Sequence, residues 1–134
     1  ETREDHTYII GNEDWLDIKQ LSLEQLDRLN IVLTAPGFID INNPNLEGIN
    51  NLVINNFHSA PNKYHYMGYE ITMYLGHMAE KYGCPFVYGL KKEGFYKGII
   101  HYGINYSDGR DNNIVPIIEF VNGNFKVINN PSLK

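Results

Sequence analysis

The longest helical pattern in the chain runs from Pro61 to Gly83. Its apolar residues recur at spacings of three and four, as they do on one face of a helix: Met67, Ile71, Tyr74, Leu75, Met78 and Tyr82. The polar residues fall mostly on the other side: Glu70, His77, Glu80 and Lys81. Pro61 with Asn62 begins the segment, and Gly83 before Cys84-Pro85 ends it. We therefore predict a long helix whose apolar face is buried in the core.

Two glycines, Gly68 and Gly76, interrupt this helical pattern. Each is roughly 1 kcal/mol less favourable than alanine in the interior of a helix. Glycine is nevertheless found in a helix where a side chain would collide with a neighbouring segment. The two glycines therefore predict that another backbone packs closely against the helix.

The first third of the chain alternates strand and helix patterns. Residues 6–11 (HTYIIG) and 31–34 (IVLT) have the continuous apolar runs of short buried strands. Between them, Asn12 can cap a helical turn, and Ser22 with Gln25 forms the capping box of a short helix. Strand–helix alternation of this kind predicts a parallel sheet.

Two more helices are predicted on either side of the long one. Asn43-Pro44 begins an amphipathic helix, with asparagine as its cap and proline at its first position. Residues 86–92 form a short helical segment before Gly94. The middle of the chain is therefore helical.

Extended patterns replace helical ones beyond Gly94. Residues 98–107 (GIIHYGINYS) alternate in part, which predicts a strand. Residues 114–121 and 124–128 flank Asn122-Gly123, the strongest short hairpin signal, and Pro116 predicts that the first arm is an edge strand or begins irregularly. The predicted fold class is α/β, with a partly parallel sheet flanked by helices and C-terminal antiparallel hairpin strands.

Length and charge narrow the function classes. The 134 residues suit a single α/β domain, and the net charge of −5 argues against nucleic acid as a partner. Cys84 is the single cysteine, so no internal disulfide or thiolate metal cluster is expected. The start, ETREDHTY, is acidic and polar rather than a signal peptide. We interpret it as a cut in a linker, so we expect the chain to be a piece of a longer protein.

Catalytic signatures are missing from the sequence. It has no G-x-S-x-G, no G-x-x-x-x-G-K-[ST], no H-E-x-x-H and no glycine-rich dinucleotide turn. Its histidines are scattered, although Glu70, Met73 and His77 share a helix face. We predict a non-enzymatic protein without cofactor or metal.

The aromatic residues are the feature with binding character. Four tyrosines of the long helix stand out together with Trp15 and Phe38: Tyr64, Tyr66, Tyr69 and Tyr74. We expect Tyr69 and Tyr74 to pack in the core. For Tyr64, His65 and Tyr66, core packing and ligand binding both remain open. The amides at a helix start would suit a carboxylate or another anionic group.

The order of short motifs resembles a known family. The motifs are G-N-E-D-W-L, N-P before an amphipathic helix, P-x-x-Y-x-Y-x-G-Y-E, F-Y-K-G, Y-S-D-G-R-D-N-N and F-V-N-G-N-F-K-V-I-N. Together they resemble the last third of type I periplasmic solute-binding proteins of the branched-chain amino acid-binding group. The resemblance covers nearly the whole chain.

That resemblance implies a fold and a function. Those proteins have two α/β lobes, joined by three crossing strands, that close on a small polar ligand. Residues 31–36 would then be a crossing segment, and residues 43–83 would belong to the other lobe. An aromatic residue ahead of the long helix commonly faces the ligand, and Tyr64 matches it, with Tyr66 close behind. The expected ligand-binding residues are therefore Tyr64, His65, Tyr66 and Trp15.

Three hypotheses for function follow. The first is binding of a small polar, amino acid-like solute as part of a periplasmic or cell-envelope protein, with a membrane permease or receptor as partner of the full-length chain. The second is an autonomous interaction domain that uses the edge of its C-terminal strands. The third is an enzyme of unrecognised type built around His65 or His77. A fragment without its partner strands could also form a homodimer.

Overall fold

The structure, a computed structural model, describes residues 8–129. The elements in chain order are β1 (Ile9–Asn12), a 3-10 turn (Glu13–Asp17), α1 (Leu23–Arg28), β2 (Ile31–Thr34), α2 (Asn45–Phe57), α3 (Lys63–Tyr82), α4 (Phe86–Glu93), β3 (Ile117–Val121) and β4 (Asn124–Val127). They fall into two compact units. The sheet unit comprises Glu1–Pro36 and Val115–Lys134, and the helical unit comprises Gly37–Ile114.

The sheet unit has a mixed four-stranded sheet in the order β1-β2-β3-β4. β1 and β2 are parallel, whereas β2–β3 and β3–β4 are antiparallel. Asn122 and Gly123 turn between β3 and β4 with φ angles of 53° and 83°, the left-handed pair that a type I′ turn requires. The predicted α/β class, with a partly parallel sheet and a C-terminal antiparallel hairpin, is confirmed.

The core of the sheet unit lies under α1. β2 is a continuous apolar strand, and Leu26 of α1 and Ile118 of β3 are fully buried beside it. α1 begins with the predicted capping box, because Ser22 Oγ accepts from the amide of Gln25 at 3.2 Å and Gln25 Oε1 accepts from the amide of Ser22 at 2.8 Å. In this region, the capping box and the apolar run were therefore sufficient to predict α1 and β2 from the sequence.

Two strand predictions in the sheet unit need correction. The first strand was predicted as buried over residues 6–11, but β1 starts at Ile9, and both Ile9 and Ile10 are exposed. Residues 6 and 7 lie outside the described residues. β3 starts after Pro116 and lies between β2 and β4, so the edge-strand alternative is wrong and the irregular start is right. The apolar run correctly predicted a strand, but it did not show that β1 lies at the edge of the described sheet.

The helices of the helical unit begin and end close to the predicted residues. Asn43 Oδ1 accepts from the amide of Asn45 at the start of α2. Asn62 caps α3, and Gly83, with φ of 66°, ends it. The core of this unit forms around Tyr74, Met78 and Ile104, with further residues packed against them: Tyr82, Phe86, Leu90, Tyr96 and Tyr106. Of the helices that the structure describes, none is both long enough and apolar enough to span a bilayer.

The buried face of α3 agrees only in part with the predicted one, because Tyr74 and Met78 are buried but other predicted residues are not. Met67, Ile71 and Leu75 are 42%, 45% and 39% exposed, whereas Glu70 is 2% exposed. The face that packs in the core is Glu70, Tyr74 and Met78, at spacings of four. The spacing along the helix predicts Glu70 on the polar side, and this prediction is wrong. Charged residues are rarely buried fully unless they are paired, so Glu70 requires a partner in the core.

The partner of Glu70 is the backbone of residues 98–101. Glu70 Oε1 accepts from the amide of Ile99 at 2.8 Å, and Oε2 accepts from those of Ile100 at 2.7 Å and His101 at 3.2 Å. A side chain at Gly98 would collide with the carbonyl oxygen of His101, so the tight turn around the carboxylate requires glycine. We call this arrangement the Glu70 latch.

The Glu70 latch explains why residues 98–107 are not a strand. In the described residues this stretch makes only the isolated bridges Ile39–His101 and Tyr96–Ile104. Three consecutive amides donate to one carboxylate, so they are not available for pairing with a strand. The predicted strand is therefore wrong, although Ile100 and Ile104 are buried as their alternation suggested.

Substitution of the α3 glycines gives a first prediction. A Cβ atom at Gly68 or Gly76 would meet no atom within 4 Å, which contradicts the expected close approach of another backbone in the described part of the chain. Gly68→Ala and Gly76→Ala should each raise the free energy of unfolding by about 0.5–1 kcal/mol. Urea unfolding measures this. Gly89→Ala is the matched control and should destabilise, because its Cβ would collide with the ring of Tyr82. A loss of stability at Gly68 would restore the close-approach interpretation.

The Glu70 latch gives a second prediction, on pH. Burial alone would raise the pKa of Glu70, but the imidazole of His101, 3.8 Å away, and the three amides outweigh it and hold the pKa below 4.5. A carboxyl with a lowered folded-state pKa stabilises fully above its unfolded pKa, and the contribution disappears as pH falls through the folded value. Glu70→Gln should lower the free energy of unfolding by about 1.5–3 kcal/mol at neutral pH, and the difference from wild type should shrink below pH 4. A difference independent of pH would contradict the ionised latch.

Candidate functional site

The helical unit contains an open pocket of about 650 Å³ beside the start of α2. Its lining comes from the loop before α2, the first two turns of α2 and one residue of α3: Ile41, Asn42, Asn43, Pro44, Leu46, Glu47, Asn50, Asn51 and Tyr66. Asparagine amides, one carboxylate and one phenol therefore line a volume that suits a small polar molecule.

Tyr66 is held at this pocket by a hydrogen bond between two helices. Its hydroxyl donates to Asn50 Oδ1 at 2.7 Å, and both side chains are half-buried. Asn50 lies in the second turn of α2, and Tyr66 ends the first turn of α3. The bond fixes the ring of Tyr66 in the lining without a contribution from a loop.

The loop before α2 is shaped by its own side chains. Asp40 Oδ1 accepts from the amide of Asn42 at 2.9 Å, and Asn43 Oδ1 accepts from the amide of Asn45 at 3.0 Å. Aspartate and asparagine favour such turns because their side chains reach the backbone two residues ahead. The sequence DINNPN therefore forms a defined wall, which we call the Asn wall (residues 40–45).

Glu47 determines the charge of the pocket. It is exposed, and among the described residues of the lining it alone carries a charge. One carboxylate beside amide and phenol groups favours a ligand with a positive or hydrogen-bond-donating group over an anion.

The amides at the start of α3 are not free for a ligand. Asn62 Oδ1 accepts from the amide of Tyr64 at 3.0 Å and from that of His65 at 3.3 Å, and His65 Nδ1 accepts from the amide of Asn62 at 3.2 Å. This capping box uses the groups that were expected to hold an anion. The expectation that an anion binds at this helix start is therefore corrected, because the amides of Tyr64 and His65 already donate to Asn62.

Tyr64 and His65 do not line the pocket. Tyr64 is 69% exposed, with Lys63 Nζ 5.6 Å from the centre of its ring. His65 takes part in the capping box, and its ring lies 6.0 Å from that of Phe57. Of the three aromatic residues predicted at the helix start, Tyr66 is the one that the structure brings to the pocket.

Trp15 belongs to the sheet unit, where its ring covers Gly11. A Cβ atom at Gly11 would lie 2.6 Å from ring atoms of Trp15, so only glycine fits beneath the ring. Trp15 is half-buried in the 3-10 turn after β1. Trp15 therefore has a structural role, because its ring packs on the backbone of β1 at Gly11. A contact between Trp15 and a ligand stays a prediction.

The helix face shared by Glu70, Met73 and His77 is divided in the structure. Glu70 is turned into the latch, whereas His77 lies with Nε2 4.0 Å from Glu93 Oε1. Within residues 8–129 no group of three or more histidine, cysteine, aspartate or glutamate side chains could hold a metal ion.

A second cluster of titratable groups joins α3 to α4. The carboxylate of Glu93 accepts from Lys81 Nζ at 2.7 and 2.8 Å and from the hydroxyl of Tyr82 at 2.6 Å. These hydrogen bonds, that of Lys81 first, lower the pKa of Glu93 and raise the pKa of both donors. The cluster joins the last turn of α3 to the end of α4.

The prediction that Tyr74 packs in the core is correct, with an unexpected feature. Tyr74 is fully buried between Tyr96, at 5.0 Å between ring centres, and Tyr106, at 6.2 Å. Its hydroxyl has no hydrogen-bond partner among the described residues. Burial, followed by the nearby Tyr106 and Glu93, raises its pKa.

Sequence analysis missed most of the pocket. The ligand-binding residues expected from the sequence include none of the asparagines of residues 42–51. The available signal was the density of asparagine and aspartate around Pro44, which marks a stretch with many side chain-to-backbone bonds. Asn50 could not be paired with Tyr66 from the sequence, because that contact depends on how α2 and α3 pack.

Comparisons with known proteins give one distant match. No family model matches the sequence, and no curated protein does. The crystal structure of an ABC transporter substrate-binding protein from Desulfitobacterium hafniense in complex with Leu is similar, with 14% sequence identity and a TM-score of 0.48. The match covers 91% of this chain and 36% of that chain. Identity this low concerns the fold alone, and at this TM-score no property of that protein carries over.

The contact between Tyr66 and Asn50 gives a third prediction. A double-mutant cycle of Tyr66→Phe and Asn50→Ala should show a coupling free energy of about 0.5–1.5 kcal/mol, because each substitution removes the same hydrogen bond. The measurement is urea unfolding of the four proteins. Tyr64→Phe is the matched control, since the ring of Tyr64 is exposed and the substitution should leave stability unchanged. Strictly additive effects would show that the two helices are not joined by this bond.

Proposed function

We propose that this chain is the C-terminal part of a non-enzymatic solute-binding or sensor protein of the bacterial envelope, and that the pocket of the helical unit contributes to binding of a small polar, amino acid-like solute. The single observation that carries the proposal is the pocket of about 650 Å³ with Tyr66 held in its lining. The motif order of the sequence, which resembles type I periplasmic solute-binding proteins, supports the same function.

The chemistry of the lining supports a ligand with an ammonium group. Glu47 offers a carboxylate, Asn42 and Asn51 offer amides, and Tyr66 offers a ring face and edge. An ammonium group can donate to the carboxylate and lie against the aromatic ring. A sugar would use the same amides, whereas a dianionic phosphate compound would be repelled by Glu47.

Other predicted residues extend this proposal. Tyr64, an exposed ring in the first turn of α3, remains a proposed ligand contact outside the pocket lining, and His65 would hold the helix start in place. Trp15, in the sheet unit, remains a separate proposed ligand contact. Since the chain spans 36% of the length of the similar structure, the transport step, the permease partner and the envelope location are proposals about the parent protein.

An interaction domain is the alternative from a different class. β4 is one edge of the described sheet and offers four residues for pairing with another strand. Lys126 lies in this strand, and a charged residue at a sheet edge commonly prevents such pairing. The edge is therefore less suited to strand addition than the pocket is to a solute.

A thermal-shift screen against amino acids, short peptides and small sugars gives the fourth prediction. A ligand at about 100 times its dissociation constant should stabilise the chain by about 2.7 kcal/mol. Tyr66→Ala should abolish the ligand-induced shift in melting temperature, because it removes the aromatic ring from the pocket lining. Emission of Trp15, the single tryptophan, measures in parallel whether the ligand changes the environment of that residue.

Tyr88→Ala is the matched control for this screen. Tyr88 is a more exposed tyrosine, on α4 and outside the pocket lining, and its removal should leave the ligand-induced shift intact. A shift that survives Tyr66→Ala would place the ligand elsewhere. No shift with any compound, together with a stable dimer in solution, would mean that this chain folds and associates without binding, and would contradict the proposal for this chain.

A further inference from the structure

One residue, Ile99, connects the Glu70 latch to the pocket. The amide of Ile99 donates to Glu70 Oε1 at 2.8 Å. The carbonyl oxygen of the same residue accepts from Asn43 Nδ2 at 2.8 Å and from Asn45 Nδ2 at 3.2 Å. The peptide planes on either side of Ile99 thus join α3 to the Asn wall.

A second contact runs beside the first. His101, whose amide donates to Glu70 Oε2, forms an antiparallel bridge with Ile39, just ahead of the Asn wall. Residues 98–101 are therefore attached to α3 on one side and to the start of the wall on the other. Among the described residues they belong to no strand or helix that would hold them independently of Glu70.

The carboxylate of Glu70 is well suited to hold this loop. It is fully buried, and its two oxygens accept from three consecutive amides, an arrangement that an uncharged side chain of the same shape cannot reproduce. Glutamine would place an NH2 group against at least one of these donors and leave it unpaired. Loss of the charge should therefore release the loop before it unfolds the helix.

We propose that Glu70 is a positioning residue for the pocket: through Ile99 and His101 it holds the Asn wall in the conformation that lines the binding volume. Glu70 is not itself part of the lining. The order of the wall follows from contacts within the helical unit, and only the consequence for a ligand rests on the proposed function.

Hydrogen exchange tests this inference without a ligand. The wall contains several amides with backbone or side-chain acceptors, those of Asn42, Asn43, Asn45 and Leu46, so their protection reports its order. In Glu70→Gln, mass-spectrometric exchange of the full chain should be faster by roughly tenfold or more both in residues 98–101 and in residues 42–46. Exchange of α4 should increase less than exchange of residues 42–46, because the hydrogen bonds of Glu70 go to residues 99–101 and not to α4.

Tyr82→Phe is the matched control for a loss of stability unrelated to the latch. It removes a hydrogen bond to Glu93 between α3 and α4 and leaves the Glu70 contacts in place. It should increase exchange in α4 but not in residues 42–46. Faster exchange of the wall in both variants would mean that the wall follows global stability, which would overturn the inference.

A second variant breaks the contact between Ile99 and the Asn wall and leaves the contact between Ile99 and Glu70 intact. It also tests the inference if Glu70→Gln does not fold. The double substitution Asn43→Asp with Asn45→Ala removes both amide donors to the carbonyl of Ile99. It keeps a side-chain oxygen at residue 43 for the amide of residue 45, and it keeps the amides of residues 99–101 on Glu70. Residues 42–46 should then lose protection while residues 99–101 keep it. An unchanged wall in this variant, or in Glu70→Gln with a released loop, would overturn the inference.

The effect of Glu70 on ligand binding is tested separately from its effect on hydrogen exchange. If the screen finds no solute, the exchange results still decide whether Glu70 positions the wall, so failure of the proposed function and failure of this inference give different data. If a solute is found, Glu70→Gln should weaken its binding by roughly tenfold at neutral pH, where the chain remains folded. Unchanged affinity together with a released wall would show that the wall does not contribute to binding.

Discussion

A buried carboxylate that accepts hydrogen bonds from three consecutive amides organises the helical unit. Burial of an unpaired charge would be strongly unfavourable, so Glu70 and residues 98–101 each require the other. The loop in turn anchors the start of α2 through Ile99, and α2 is joined to α3 again through the bond of Tyr66 to Asn50. The pocket lies between these two connections. Its shape therefore depends on a residue that it does not contain.

The same interaction explains the difference between apolar pattern and burial in α3. Once Glu70 faces the interior, Tyr74 and Met78 follow it at spacings of four, and the stripe of Met67, Ile71 and Leu75 is left half-exposed. A second carboxylate, Glu93, then fixes α4 against the end of α3. Polar contacts therefore set the orientation of the helices, and apolar packing fills the space between them.

The pocket has the chemistry of a binding site more than that of a catalytic one. Its groups are amides, one phenol and one exposed carboxylate. General acid–base chemistry needs groups with separated pKa values held across a cleft, whereas recognition of a polar solute needs directed donors and acceptors on a fixed frame. The self-bonded wall and the tethered Tyr66 provide such a frame.

Local signals in the sequence determined the elements: the capping boxes at Ser22 and Asn62, the Asn122-Gly123 turn and the helix end at Gly83 depend on neighbours a few residues apart. They were sufficient for the α/β class and for the ends of α3. Only the tertiary structure decided that Glu70 is buried, that residues 98–107 form no strand in the described chain, and that Tyr66 rather than Tyr64 lines the pocket. Each of these depends on a contact between residues far apart in sequence, such as Glu70 with Ile99 or Asn50 with Tyr66, and periodicity along one segment carries no information about a distant partner.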